Sequence, residues 1–283
     1  MINKIEIKAP AKINIGLYVT EKRADGFHNI ETIFYPVKDL FDKLILEKND
    51  KFEFICSDPS LPADDSNLAV KAVRLLEEKA KKTIPVKINL EKKIPYGAGL
   101  GGGSSDAAAV LISVNDMYNL GFNYPQLLEF GLELGSDVPF FVKTFPSVGK
   151  SRGEKLTPLD LQLEKFIVIV NPGIHISTKE AYSNVTPSPV EISWNQINEK
   201  LNNNPAELKD VLKNDFEDYA FKTYPEIKKI KEEMYAAGAE YALMTGSGST
   251  LFAIFNDKET AEKYLATTDD KFVTFLSDPE DQY

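Results

Sequence analysis

The sequence has few of the residues on which disulfide and metal chemistry depend. Its 283 residues include one cysteine, Cys56, and two histidines. A single cysteine allows neither an intramolecular disulfide nor a cysteine zinc cluster, so a reducing cytoplasm is the expected compartment. No apolar run reaches the roughly 18 residues that a membrane span requires, and no targeting segment is expected.

Positive charge is also scarce. The 33 lysines and arginines are outnumbered by 43 aspartates and glutamates, which gives a net charge of −10. A nucleic-acid-binding surface needs clustered lysine and arginine, so nucleic acid is not an expected partner. A small anionic substrate is compatible with this charge, because a few local cations are enough to bind it.

One glycine-rich stretch between a predicted strand and a predicted helix dominates what remains. Five glycines lie within the seven residues Gly97–Gly103, directly before Ser104 and Ser105. Alternating apolar residues at 86–90 predict the strand, and apolar residues at helical spacing over 107–118 predict the helix. Ser104 and Ser105 are the candidate N-caps. Such a loop at a helix N-terminus predicts a phosphate-binding site.

Three common phosphate motifs do not fit this loop. The glycines at 97, 99 and 102 match a dinucleotide fingerprint, but the chain is still helical where that motif needs an acidic strand end. A Walker A loop needs a lysine where Gly103-Ser104 stands, and the downstream protein-kinase motifs are absent. A flexible linker would not lead straight into an alanine-rich helix. The sequence therefore predicts a lysine-free anion cradle of another kind.

Lys12 and Asn14 lie on one face of a strand predicted over residues 5–19, because their spacing is two. From spacing alone, the solvent-exposed face of an edge strand is a slightly better interpretation than a functional site. A second glycine loop, Thr245–Thr250, joins two predicted strands near the end of the chain, and taken by itself it is interpreted as a plain hairpin turn.

Asp137 and His28 are two further candidates. Asp137 precedes a proline by two residues and can be an N-cap, but its apolar neighbours would also suit a partly desolvated carboxylate in proton or cation work. His28 follows an Asp25-Gly26 turn and the aromatic Phe27, where loops carry recognition groups.

Together, three segments resemble the three motifs of the galactokinase, homoserine kinase, mevalonate kinase and phosphomevalonate kinase (GHMP) superfamily. They are Ala9–Asn14, Gly99–Ala108 and Thr245–Ser249. Finer matches, at Asp25–Thr32, Gly135–Phe141 and Asn171–Gly173, resemble the branch that phosphorylates a cytidine-diphosphate-linked sugar alcohol of the non-mevalonate isoprenoid pathway.

This resemblance implies an α+β, two-domain GHMP-kinase-like fold with its active site in the cleft between the halves. The halves would be an N-terminal nucleotide-binding domain of the ribosomal protein S5 domain 2-like type, residues 1–152, and a C-terminal GHMP-kinase domain, residues 153–283. ATP is the implied phosphoryl donor. Mg²⁺ is implied by the ATP chemistry, without assigned ligands. The chain would act as a monomer or homodimer, with no membrane partner.

The resemblance also implies roles for individual residues. The ATP cradle would comprise Pro95, Gly97, Ala98, Gly99, Leu100, Gly101, Gly102, Gly103, Ser104 and Ser105. Asp137 would orient or deprotonate the acceptor hydroxyl, and Lys12 would hold that aspartate and offset developing charge. Asn14 and Thr178 would contact the acceptor substrate.

The cytosine of the acceptor would lie between Phe27 and Tyr182, with His28 reading its edge. Phe27 stands where this branch commonly has tyrosine, and Tyr182 where it commonly has phenylalanine. The phenol hydroxyl would therefore lie on the opposite side of the cytosine. Asp106, near the phosphates, is expected to point away from them and is not assigned to metal. The alternatives are another superfamily kinase of the homoserine or mevalonate type, or a non-catalytic nucleotide-binding module.

Overall fold

Two compact units are built from interleaved segments of the chain, of which a computed structural model describes residues 2–282. The first unit comprises the chain up to Ala11, Leu40–Tyr96 and Gly101–Thr144. The second comprises Lys12–Asp39, Gly97–Leu100 and the chain from Phe145 onward. The two long strands β1 (Lys4–Lys22) and β2 (His28–Lys48) each contribute residues to both units.

The first unit packs helices against a small sheet. Its remaining elements are β3 (Glu53–Cys56), α1 (Leu68–Ala80), β4 (Val86–Glu91), α2 (Gly102–Tyr118), α3 (Tyr124–Leu134) and α4 (Val138–Lys143). The end of β2 pairs antiparallel with β4, and β3 lies parallel to β4. Alternate side chains of β4, among them Ile88 and Leu90, are buried, which is the pattern of a sheet with one covered face.

The second unit is organised on a four-stranded antiparallel sheet in the order β10-β7-β9-β8. Its elements are β5 (Ser147–Lys150), β6 (Lys155–Pro158), β7 (Phe166–Asn171), α5 (Thr178–Ser183), α6 (Trp194–Asn203), α7 (Glu217–Thr223), α8 (Pro225–Ala236), β8 (Tyr241–Met244), β9 (Leu251–Phe255), α9 (Lys258–Thr267) and β10 (Val273–Ser277). The start of β2 pairs with β5, which pairs with β6. Short 3₁₀ helices span Pro205–Leu208 and Pro279–Gln282.

Strong local periodicity predicted most elements, and the exceptions have identifiable causes. The predicted strand, glycine loop and helix are confirmed as β4, the loop and α2. The expected N-caps Ser104 and Ser105 are wrong, because α2 begins at Gly102 with Gly101 as its cap. The sequence also predicts a helix over residues 205–212, but the structure has only a 3₁₀ turn over Pro205–Leu208, and α7 has no predicted counterpart.

None of the helices within residues 2–282 is long and apolar enough to cross a lipid bilayer.

Candidate active site

The two glycine loops touch each other through their backbones within the second unit. Gly99 has a φ of +80°, and a Cβ built on it would lie 2.2 Å from the carbonyl oxygen of Thr245. A Cβ on Gly246 would in turn lie 3.0 Å from the Cα of Gly99. Both positions therefore require glycine, for conformation at Gly99 and for space at each. The contact shows that Thr245–Thr250 is more than a plain hairpin turn.

Lys12 is buried against the same pair of loops. Its Nζ donates to the carbonyl oxygen of Gly99 at 2.9 Å and also to Oδ1 of Asn14. The hydroxyl of Thr245 accepts from the backbone N–H of Asn14 at 2.9 Å and donates to the Gly99 carbonyl at 3.2 Å. Lys12 is 3% exposed and Asn14 1%. The solvent-exposed edge-strand interpretation is therefore wrong for both residues, and the lysine cation is fixed beside the glycine loop.

The start of α2 lies in the first unit and offers backbone donors. Gly101 is the N-cap, with a φ of +74°, and its carbonyl accepts from the Ser105 N–H at 2.9 Å. The first N–H groups of a helix have no intrahelical partner and carry the positive end of its dipole. The Oγ of Ser105 is buried without a hydrogen-bond partner. This helix start can bind an anion.

Asp137 lies beside that helix start. A Cβ built on Gly135 would lie 4.0 Å from Oγ of Ser104, which places the turn before α4 next to the first turn of α2. Asp137 occupies the N-cap position of α4, but its side chain makes no capping hydrogen bond. Its apolar neighbours Val138 and Phe140 are buried, whereas Asp137 itself is half-buried. Asp137 therefore does not act as the side-chain cap of α4.

Four aromatic or cationic side chains gather around the turn before β2, in the second unit. Phe27 is 47% exposed, and the guanidinium carbon of Arg152 lies 3.6 Å from the centre of its ring. His28 stacks on Tyr182, with ring centres 4.9 Å apart and an interplanar angle of 20°. Burial, and then the positive charge of Lys22, lower the pKa of His28. The neutral imidazole can both donate and accept a hydrogen bond.

The segment after β7 borders both glycine loops. Oγ1 of Thr178, the first residue of α5, lies 3.2 Å from Oγ of Ser247. Nδ1 of His175 lies 3.4 Å from where a Cβ on Gly97 would be. Sequence reasoning did not select His175, which stands outside every motif. Its only available signal was that histidine is rare in this chain.

A buried charge triad joins the two ends of the glycine loop in the first unit. Nζ of Lys92 donates to Asp106 at 2.8 Å and to Asp42, whose other oxygen accepts from the backbone N–H groups of Lys93 and Ile94. The Lys92 side chain is 7% exposed and that of Asp42 fully buried. Nζ of Lys92 lies 3.2 Å from where a Cβ on Gly102 would be. A lysine therefore packs beside the glycine loop, although the loop itself contains none.

Asp106 is the member of the triad whose negative charge is least well stabilised by its surroundings. Burial raises its pKa to about 7, against the opposing effect of Lys92, and its second oxygen Oδ1 has no hydrogen-bond partner. Below pH 7 the folded protein keeps this carboxyl largely neutral.

We expect the stability of Asp106→Asn, measured relative to wild type, to improve as the pH rises. Between an unfolded pKa of about 4 and the folded value of about 7, the folded wild type binds more protons than the unfolded chain, so its stability falls through that window. Asparagine is always neutral and can still accept from Lys92. The difference in the free energy of unfolding should shift by about 2–3 kcal/mol between pH 5 and pH 8 in urea titrations.

Asp270→Asn is the matched control for this titration, because Asp270 is exposed on a turn. Its stability relative to wild type should change by less than about 0.5 kcal/mol over the same range. A pH-independent difference for Asp106→Asn would contradict the elevated pKa.

No group of three or more histidine, cysteine, aspartate or glutamate side chains within the described part of the chain could hold a metal ion. Mg²⁺ commonly binds proteins through one or two carboxylates together with substrate phosphates.

Comparisons with known proteins agree on one group of enzymes. The family models "GHMP kinases N terminal domain" and "GHMP kinases C terminal" match residues 67–144 and 193–267. A 4-diphosphocytidyl-2-C-methyl-D-erythritol kinase of Bacteroides fragilis is 41% identical over 259 residues, which cover 89% of this chain and 93% of that relative. The two matched regions lie on either side of the predicted boundary between residues 152 and 153, which stays a prediction.

Solved structures extend the comparison. A crystal structure of 4-(cytidine 5'-diphospho)-2C-methyl-D-erythritol kinase has a TM-score of 0.82 at 33% identity and covers 96% of this chain and 98% of its own. A homoserine kinase from Cytophaga hutchinsonii has a TM-score of 0.72 at 19% identity, covering 98% of this chain and 95% of its own, and shares the fold.

Proposed function

The chain belongs to the GHMP kinases, and within them to the 4-diphosphocytidyl-2-C-methyl-D-erythritol kinases; from this premise we propose that it transfers the γ-phosphoryl group of ATP to the 2-hydroxyl of that cytidyl substrate. The observation that carries the proposal is the buried Lys12 ammonium, fixed by the Gly99 carbonyl where two glycine loops meet. A buried cation next to a loop of the phosphate-binding type can stabilise the negative charge that develops in the transition state of phosphoryl transfer.

Phosphoryl transfer leaves the protein two main tasks, alignment and charge stabilisation. The acceptor oxygen attacks the γ-phosphorus, the bond to the β–γ bridging oxygen breaks, and ADP leaves. In the proposed mechanism Asp137 orients the acceptor hydroxyl and takes its proton. Lys12 offsets the charge that develops on the transferring group, and the donors at the start of α2 bind the triphosphate.

The aromatic set supplies the specificity for a cytidyl group in this proposal. Phe27 offers an exposed ring whose other side is covered by Arg152, while Tyr182 is already stacked with His28. A base can stack on such rings, and a neutral His28 can bond to its edge. An acceptor without a base, such as mevalonate or homoserine, would gain nothing from these rings.

Mg²⁺ enters the proposal as part of the donor substrate MgATP. The absence of a cluster of ligating side chains in residues 2–282 supports an ion held mainly by phosphate oxygens. When bound, it would neutralise charge on the β- and γ-phosphates.

The purified protein is expected to consume ATP with 4-diphosphocytidyl-2-C-methyl-D-erythritol and to give at most background turnover with mevalonate or homoserine. A coupled ADP assay measures this directly. Rapid turnover of mevalonate or homoserine, with none of the cytidyl compound, would contradict the assignment of the acceptor.

Phe27→Ala separates base recognition from nucleotide binding in the same assay. Because stacking of a base on an aromatic ring contributes about 1–3 kcal/mol, KM for the cytidyl substrate should rise by about tenfold or more. KM for ATP should stay near the wild-type value. An equal loss for both substrates would show that Phe27 does not recognise the cytidyl group.

A further inference from the structure

A buried asparagine outside every recognised motif holds the turn that carries the second glycine loop. Asn214 is 2% exposed, and its Nδ2 donates to the carbonyl oxygens of Met244 at 2.7 Å and Gly246 at 2.8 Å. Its Oδ1 accepts from the backbone N–H of Phe216 at 2.9 Å. The two carbonyls flank Thr245, so both hydrogens of one amide fix the residues on either side of it.

The same short segment holds the end of β8 through a second side chain. Oε1 of Glu217 accepts from the backbone N–H of Met244 at 2.9 Å, and the carboxylate is itself paired with Lys231 at 2.8 Å. Met244 is thereby bound at its N–H by Glu217 and at its carbonyl by Asn214. The turn that follows has little freedom to move relative to residues 214–217.

The held turn in turn determines where the Lys12 ammonium lies. Gly246 and Thr245 meet the backbone of Gly99 so closely that no Cβ fits between them. The Thr245 hydroxyl and Nζ of Lys12 both donate to the Gly99 carbonyl. A shift of the turn by a few tenths of an ångström would therefore displace that carbonyl and the ammonium bonded to it.

We propose that Asn214 is a positioning residue for phosphoryl transfer, acting through the Met244–Gly246 turn and the Gly99 carbonyl on Lys12. The inference rests on the proposed function, because that function gives Lys12 its role. The chemistry requires an amide at this position. A carboxylate of the same shape would turn two donated hydrogen bonds into repulsive contacts between oxygens.

Asn214→Asp is expected to lower kcat for the cytidyl substrate by about tenfold to a hundredfold, the range typical of a slightly misplaced catalytic group. KM for ATP and for the acceptor should change little, since Asn214 is only 2% exposed. In a Lys12→Met background the same replacement should alter the residual kcat by no more than about twofold, because a residue that acts only through Lys12 has no further effect once Lys12 is gone.

Asn203→Asp is the matched control. Asn203 is exposed at the end of α6, and its Nδ2 donates to one carbonyl, that of Glu199, at 2.8 Å. This variant should keep the wild-type kcat. If Asn214→Asp does not fold, as judged by circular dichroism, Thr245→Val tests the same path: it removes the hydroxyl bonds to the Gly99 carbonyl and to the Asn14 N–H, leaves the Asn214 contacts, and should lower kcat without raising KM.

Wild-type kcat in folded Asn214→Asp, or the same fold-loss in the Lys12→Met background as in wild type, would overturn the inference. For Thr245→Val, an unchanged kcat would do so. These results differ from a failure of the proposed function, in which the wild-type protein itself would not phosphorylate the cytidyl substrate.

Discussion

Asp137→Ala is expected to lower kcat for the cytidyl substrate by about 10²- to 10⁴-fold, the usual contribution of a positioned general base. The physical reason lies in the turn before α4. Asp137 has the sequence position of a helix cap, yet its carboxylate makes no capping bond, and the turn lies beside the start of α2, where we propose that the triphosphate binds. The measurement is single-turnover kinetics at saturating ATP, with thermal unfolding recorded in parallel.

A second N-cap aspartate makes the comparison sharp. Asp257 caps α9, and its side chain accepts from the Thr260 N–H at 2.8 Å. Asp257→Ala should therefore lose about 1 kcal/mol of stability and keep wild-type kcat, whereas Asp137→Ala should show the opposite pattern. If Asp137→Ala unfolds like Asp257→Ala and its remaining folded protein turns over normally, the aspartate is a structural cap.

Local periodicity carried the fold prediction wherever each element depended on its own residues. β4 and α2 on either side of the glycine loop are examples, since alternation and helical spacing are visible within a dozen residues. Within the span of β2 the sequence predicts two separate strands, one through residues 30–37 and one around residues 43–47. The structure shows one strand, in which the buried Asp42 is paired with Lys92 and accepts from the backbone N–H groups of Lys93 and Ile94. Those partners lie some 50 residues away and leave no local signal.

The site residues, too, could be predicted where they depend on local sequence and not where they depend on distant residues. The glycine loop could be recognised because its chemistry is contiguous in sequence. Spacing could not decide whether Lys12 faces solvent, since its burial depends on Gly99, 87 residues away, and on Thr245, which bonds to Asn14 across 231 residues. Asn214 was not selected at all, because nothing near it in sequence shows that its amide faces two carbonyls.

Lys12→Met is expected to lower kcat by about 10²- to 10³-fold, which is typical for removal of one preorganised charge or donor at a site of developing negative charge. Methionine keeps much of the volume of the lysine stem, so the packing around the buried side chain is largely retained. Lys12→Arg should not restore activity, because the planar guanidinium fork does not match a point charge seated on one carbonyl and one amide oxygen. Steady-state kcat and KM for both substrates measure the effect.

Lys165→Met is the matched control for charge removal in the same unit. The Lys165 side chain is 16% exposed, and its Nζ, like that of Lys12, bonds to two oxygen atoms. They are Oδ1 of Asn256, at 2.7 Å, and a carboxylate oxygen of Glu240. Lys165 lies immediately before β7 and contacts neither glycine loop through these bonds, so its loss should change stability and leave kcat unaltered. Equal kcat losses in the two variants would mean that turnover responds to a general loss of buried charge, and the specific role of the Lys12 ammonium would be wrong.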